Sequence, residues 1–400
     1  MTGVPKDIRD RFPATRDGVY LATSARGLIP QEVHHAVAAD LDARLNGTTD
    51  KAEMFAAVEN ARAGLARLIN AEPDEIAITK NVSEGLNAIA SALPWAAGDN
   101  VVMCSEIEHP NNLYPWLNLR ARLGIEVRDL PADGGHVPVD RMVEAMDERT
   151  RAVTIASMSF TPGFRTDLAT LGRACRERGI FLLVDAVQST GILHTDVEAL
   201  GIDGLATSTS KGLLGLYGMG FLYCRRAWAE KLTPVYLARF GVDLGDISEA
   251  EKGGDNYRLM PGARRFDVGN YNYPGAVAAE AALDLLNGIG TEAIEAYVVD
   301  LAHRLARGLL DLGLPVVGGA PGAHTGSIVC LGRRGEAAGH GKTDDPEMAS
   351  LAAHLEAGGV AFTIRLGLLR FALHLYNTAN DVERVLELAA EWVEGRDKAA

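Results

Sequence analysis

The sequence predicts an α/β protein: a parallel sheet flanked by helices, followed by a smaller α/β domain. Three observations predict it. From about residue 54 to 230, short apolar, β-branched runs alternate with longer helical patterns. An acidic, glycine-rich stretch at 241–254 then breaks that rhythm. Finally, a 400-residue chain with 47% hydrophobic and 23% charged residues has enough apolar side chains to bury a large core. In order, strands are read at 100–104 (NVVMC), 126–130 (EVRDL), 152–157 (AVTIAS), 181–185 (FLLVD), 204–207 (GLAT) and 220–224 (GFLYC). Helices such as 82–92 and 168–178 lie between them, so βαβ crossovers are the natural connection. Beyond the break, long helices are expected at 274–287 and 292–312, then strand–helix alternation to the end. We expect an N-terminal arm at 1–20, a large domain at 21–270 and a small domain at 271–400 against which the arm packs. The polar segment 332–345 reads as an exposed insertion.

Composition narrows the function classes. With 39 Lys+Arg against 53 Asp+Glu the formal charge is −14, which opposes binding to nucleic acid or an anionic membrane. Cys104, Cys175, Cys224 and Cys330 are far apart and form no CxxC pair, so neither a metal cluster nor a disulfide framework is expected. The first thirty residues carry charges throughout, and no window approaches a membrane span. A cytoplasmic protein without metal is expected.

The chemistry concentrates in residues 181–226. Asp185 ends an apolar strand, which puts its carboxylate at the carboxyl edge of the sheet, where open α/β folds bind ligands. Lys211 follows the next strand through Ser208-Thr209-Ser210, and glycines at 212, 215, 218 and 220 permit a tight turn behind it. A lysine there serves either as an imine-forming amine or as a charge for phosphate. Together, the pair suggests pyridoxal phosphate, with Asp185 keeping the pyridine nitrogen protonated and Lys211 holding the aldehyde as a Schiff base. The polar turn at 79–81, opening an apolar helix at Val82 and Ser83, offers free N–H groups and a dipole end to an anion. His109, after the strand ending at Cys104, is placed to lie over a flat ring or to shuttle a proton. The segment Gly339-His340-Gly341-Lys342-Thr343 lacks the first glycine of a phosphate-binding loop, Glu336 standing in its place, so an NTPase is rejected.

From Tyr20 to Thr378 the chain resembles the class V aminotransferase group of pyridoxal-phosphate fold type I, which includes cysteine desulfurases and isopenicillin-N epimerase. The resemblance implies a mainly parallel seven-stranded sheet sandwiched by helices, with Lys211 as the Schiff-base lysine and Asp185 as partner of the pyridine nitrogen. It implies Gln188 on the phenolic oxygen and His109 stacked on the ring. Phosphate would be held by Val82, Ser83 and Ser208. The run RRFDVGNYN, 264–272, resembles a segment that reaches the neighbouring subunit's phosphate, implying a homodimer to which Asn270 contributes across the interface. In RFALHLYNT, 370–378, Arg370 corresponds to the arginine that binds the substrate α-carboxylate, a task suited to a bidentate guanidinium. Arg26 falls where the family's N-terminal segment borders the substrate pocket and is a second candidate anion binder.

Departures from the family decide the activity expected. Desulfurases carry a persulfide-forming cysteine between two arginines corresponding to Arg365 and Arg370. Here only Leu366-Gly367-Leu368-Leu369 lie between them. Ser210 stands where many desulfurases have histidine, and Phe160 where they have an asparagine near the cofactor. The expected function is therefore that of an amino-acid transaminase or β-eliminating C–S lyase. The alternatives are a desulfurase-like enzyme without the loop cysteine, an epimerase using His109 or Tyr217 as second base, and a non-catalytic pyridoxal-phosphate-binding regulator.

Overall fold

The computed structural model describes residues 3–245, 257–335 and 341–399. Seven strands form the central sheet, in the edge-to-edge order Ile76–Thr79, Gly220–Cys224, Gly204–Ser208, Phe181–Asp185, Thr150–Ala156, Asn100–Met103, Glu126–Asp129. All are parallel except Gly220–Cys224, which runs against both neighbours. The inner strands are apolar at nearly every position because both faces are covered. Phe181 and Leu183 join the core on one face with Leu86, Val101 and Leu222, whereas Leu182 and Val184 join the core on the other with Val153, Ile155 and Leu205.

The strand Ile76–Thr79 was not among those expected. Its four residues follow directly on the turn Pro73–Glu75, and they are stabilised by pairing with the distant Gly220–Cys224. The antiparallel return to Gly220 also replaces the expected crossover, because only residues 209–219 separate it from the preceding strand. Helices Val82–Ala92 and Leu168–Arg178 form where expected, the second closed by Gly179 in the left-handed region, φ 66°.

Past residue 257, the helices Tyr273–Ile289 and Thr291–Asp311 lead into a three-stranded antiparallel sheet in the order Ile328–Leu331, Leu368–Ala372, Thr363–Arg365. Val19–Tyr20 pairs in parallel with Val360–Ala361, tying the first segment to the last part of the chain. Of the stretch at 241–254, residues 246–254 lie outside the described residues, as do 336–340 of the polar segment at 332–345. Within that segment Arg334 pairs with Glu106 at 3.2 Å. No helix among the described residues is long and apolar enough to cross a membrane.

Candidate active site

The carboxyl edge of the sheet brings the expected residues together. Register aligns Ala156, Asp185 and Ala206, so two strands end at one level and the third runs two residues further, to Ser208. A cavity of about 260 Å³ opens there, lined by Val82, Ser83, His109, Asp185, Gln188, Ser208 and Lys211. Val82 and Ser83 begin a helix capped by Asn81, whose Oδ1 accepts the Glu84 N–H at 3.0 Å. The N–H groups of the first two helical residues, which have no acceptor within a helix, are left at the cavity.

Asp185 is buried, and its Oδ1 accepts the Val187 N–H at 3.0 Å. Burial pushes its carboxyl up, against the pull of that N–H and of Lys211. Lys211 is shifted the other way: burial, with Arg370 and Arg365 nearby, pulls its amine down to about 8 despite Asp185. Gln188 Nε2 donates to the Ser24 carbonyl at 3.2 Å. His109 Nδ1 accepts the Asn111 N–H at 3.2 Å, which puts the neutral ring's proton on Nε2, and the ring meets Phe160 edge-on at 5.4 Å.

The lysine loop is held by contacts that no spacing signalled. His374 is buried and pushed down to about 4, so its ring is neutral. Its Nδ1 accepts the Leu375 N–H at 2.6 Å, and its Nε2–H therefore donates to the Gly212 carbonyl at 2.8 Å. Gly27 lies so close on the other side that a Cβ there would sit 2.1 Å from the Lys211 carbonyl oxygen. A further unforeseen element is Glu108. Its carboxylate accepts the Ala156 N–H at 2.6 Å and Asn112 Nδ2–H at 2.9 Å, and burial with nearby Asp185 pushes it up to about 8.

Three candidates lie outside the cavity lining. Arg370 is 2% exposed, with Nη1 on the Phe160 carbonyl at 2.6 Å and Nε on Thr363 Oγ1 at 3.0 Å; burial pulls it down to about 10. Arg26 is exposed, its guanidinium 5.7 Å from the ring centre of Tyr217, and Tyr217 does line the cavity. Asn270 is exposed on the segment that follows Asp267.

The four cysteines are unpaired and buried. Burial raises every thiol, Cys104 and Cys330 to about 12. Arg365 and Arg370 sit on adjacent antiparallel strands joined by the two-residue turn Leu366-Gly367, both with positive φ, 49° and 81°.

These groups fit a flat phosphorylated pyridine aldehyde. A buried carboxylate accepts one N–H and has no ion pair within 4 Å among the described residues, the amine of Lys211 lies near enough to act on it, and a helix start offers N–H groups to an anion. Comparison with known proteins agrees. The family model described as aminotransferase class-V matches residues 19–385. A probable cysteine desulfurase of Methanothermobacter thermautotrophicus is 36% identical over 307 residues, covering 75% of this chain and 74% of the relative. An uncharacterized aminotransferase of Bacillus subtilis, YcbU, is 29% identical over 394 residues, covering 98% of this chain and 100% of the relative. The apo structure of a cysteine desulfurase from Thermococcus onnurineus has a TM-score of 0.83 at 26% identity, covering 99% of both chains. The expected fold-type-I architecture stands, and with the family model spanning residues 19–385 this chain belongs to the class-V aminotransferase family.

Proposed function

We propose that this protein is a pyridoxal-phosphate enzyme that works on an α-amino acid at Lys211, as a transaminase or β-eliminating C–S lyase and not by persulfide relay. One observation carries the choice. The strands that carry the two arginines are joined by the two-residue turn Leu366-Gly367, no cysteine lies among the four residues between those arginines, and the chain's four thiols are all buried.

When bound, pyridoxal phosphate supplies an electron sink that makes an amino acid's α-proton removable. Asp185 provides the buried negative charge opposite the pyridine nitrogen, and His109 and Gln188 hold the ring's position. Val82 and Ser83 at the helix start, with Ser208, receive the phosphate. With its amine near 8, Lys211 is roughly one-tenth neutral at pH 7, where an ordinary lysine is almost wholly charged, so Nζ can take a proton and return it. Arg370 receives the substrate's α-carboxylate by exchanging its bond to the Phe160 carbonyl. Thr161 Oγ1 also donates to that carbonyl, at 2.8 Å, so the oxygen keeps a partner when the arginine turns away. Arg26, beside Tyr217, serves a second anionic group of the substrate.

The reading includes a homodimer with Asn270 contributed across the interface, and a cytoplasmic setting, in keeping with four free thiols and a charge of −14. The test is a single turnover of cofactor-loaded protein with a panel of amino acids and no keto acid. Accumulation of the cofactor in its amine form with one equivalent of keto acid identifies a transaminase. Repeated release of keto acid and ammonia identifies β-elimination. Sustained persulfide on one of the four cysteines contradicts the proposal.

A further inference from the structure

Phe160 occupies a place that the reaction itself does not require, yet three observations converge on it. The residue is half-buried and lines the cavity with Met158 and Tyr217, and among the described residues the one acidic side chain lining it is Asp185, at the sheet edge. Its ring meets His109 edge-on at 5.4 Å and so has a fixed position beside the group expected over the cofactor. Its carbonyl is held by both Arg370 Nη1 and Thr161 Oγ1, at 2.6 and 2.8 Å, which anchors the backbone while the ring stays at the cavity. The residue therefore lines the cavity that holds Lys211, while its backbone carbonyl binds the buried guanidinium of Arg370.

We propose that Phe160 determines substrate specificity, presenting with Met158 an apolar wall that selects amino acids with apolar or aromatic side chains over those with charged ones. The inference rests on the function proposed above, since it takes Arg370 as the carboxylate site. An aromatic ring and a thioether contribute dispersion and apolar area to such a side chain and no hydrogen bond to a polar one. A charged side chain would lose its hydration against this wall, and the exposed Arg26, outside the cavity lining, offers an acidic one only a solvent-screened partner. Cationic side chains are disfavoured further by Lys80, which also lines the cavity.

The test uses the cofactor-loaded protein and equilibrium binding, read from the cofactor's absorbance, with L-phenylalanine, S-benzyl-L-cysteine, L-methionine, L-aspartate and L-lysine as probes. The wild type is expected to bind the apolar probes at least about tenfold more tightly than aspartate or lysine. Phe160→Asn is expected to remove most of that preference, and Phe160→Leu to retain it for methionine, which keeps the test informative if the asparagine variant does not fold. Equal affinities across the panel, or a preference that survives Phe160→Asn unchanged, would overturn the proposal while leaving a yellow, Lys211-linked enzyme intact. Failure to take up pyridoxal phosphate at all would instead overturn the function on which the proposal rests.

Discussion

Arg62 and Arg370 are both almost completely buried, at 0% and 2% exposure, but they lie in regions that treat a buried charge in opposite ways. Arg62 binds the Asp267 carboxylate at 2.8 Å, the Ile76 carbonyl and, at 3.4 Å, Glu59, and these anions hold its guanidinium above the ordinary value. Asp267 is itself completed by the Ile78 N–H and the Tyr271 hydroxyl, each at 2.8 Å. Arg370 has no carboxylate within ion-pair reach among the described residues, only a carbonyl and a hydroxyl, and burial pulls it down. Arg265, capped by the carbonyls of Gly262 and Leu232, shows that a buried guanidinium can be hydrogen-bonded without any anion. What sets Arg370 apart is its position next to Lys211, whose amine it helps to lower. The Arg62 region is a closed electrostatic unit that joins the segment before Asn270 to the sheet edge. The Arg370 region has no such counter-ion among the described residues, and in the proposed function the substrate's carboxylate supplies it.

Breaking the closed unit has the largest expected effect. Asp267→Ala leaves Arg62 buried without its main counter-ion and should cost about 3–5 kcal/mol of folding stability, measured as a shift of the denaturant midpoint. A cost below about 1 kcal/mol would show that the two arginines are not differently supported. Arg370→Met sharpens the contrast from the other side. It should lower kcat/KM by about a hundredfold or more through loss of the carboxylate contact. Stability should stay level or rise by about 1 kcal/mol, because an unpaired buried charge is removed.

The pH dependence of cofactor uptake tests the open region more gently. Lys211 must be neutral to attack an aldehyde, and its lowered pKa means that neutrality is gained as pH rises through about 8. The rate at which the apo protein takes up pyridoxal phosphate should therefore climb about tenfold per pH unit below 8 and level off above it. A rate still climbing beyond pH 9.5 would mean an ordinary lysine. The smallest effect is expected at the exposed Arg26. Arg26→Ala should lower kcat/KM by about threefold for amino acids carrying a second acid group and leave the Tm unchanged.

Part of the open region was legible in the chain before folding, whereas the pairing of Arg62 with Asp267, 205 positions apart, was not. Asp185 and Lys211 stand out because each follows an apolar strand, and the topology of an open sheet delivers strand ends to one edge. Val82 and Ser83 were legible because a polar turn preceding an apolar helix marks its N-terminus. What was not legible depends on partners distant in sequence. The Phe160 carbonyl is 210 positions from Arg370, and the Gly212 carbonyl is 162 from His374. Neither pair carries a periodicity or spacing that would announce it, since a backbone carbonyl looks alike at every residue. Glu108 was passed over for a similar reason: its burial comes from the Ala156 N–H and Asn112, not from its neighbours in the chain. The strand Ile76–Thr79 likewise depends on a distant partner, Gly220–Cys224.

Reduction of the loaded protein tests most directly whether Lys211 is the amine that binds an aldehyde opposite Asp185. The purified protein should be yellow with pyridoxal phosphate. Borohydride should fix one equivalent of cofactor on the single peptide containing Lys211, and Lys211→Ala should abolish the label while leaving the fold intact. A colourless protein that takes up no cofactor, or a label on any other lysine, would contradict it.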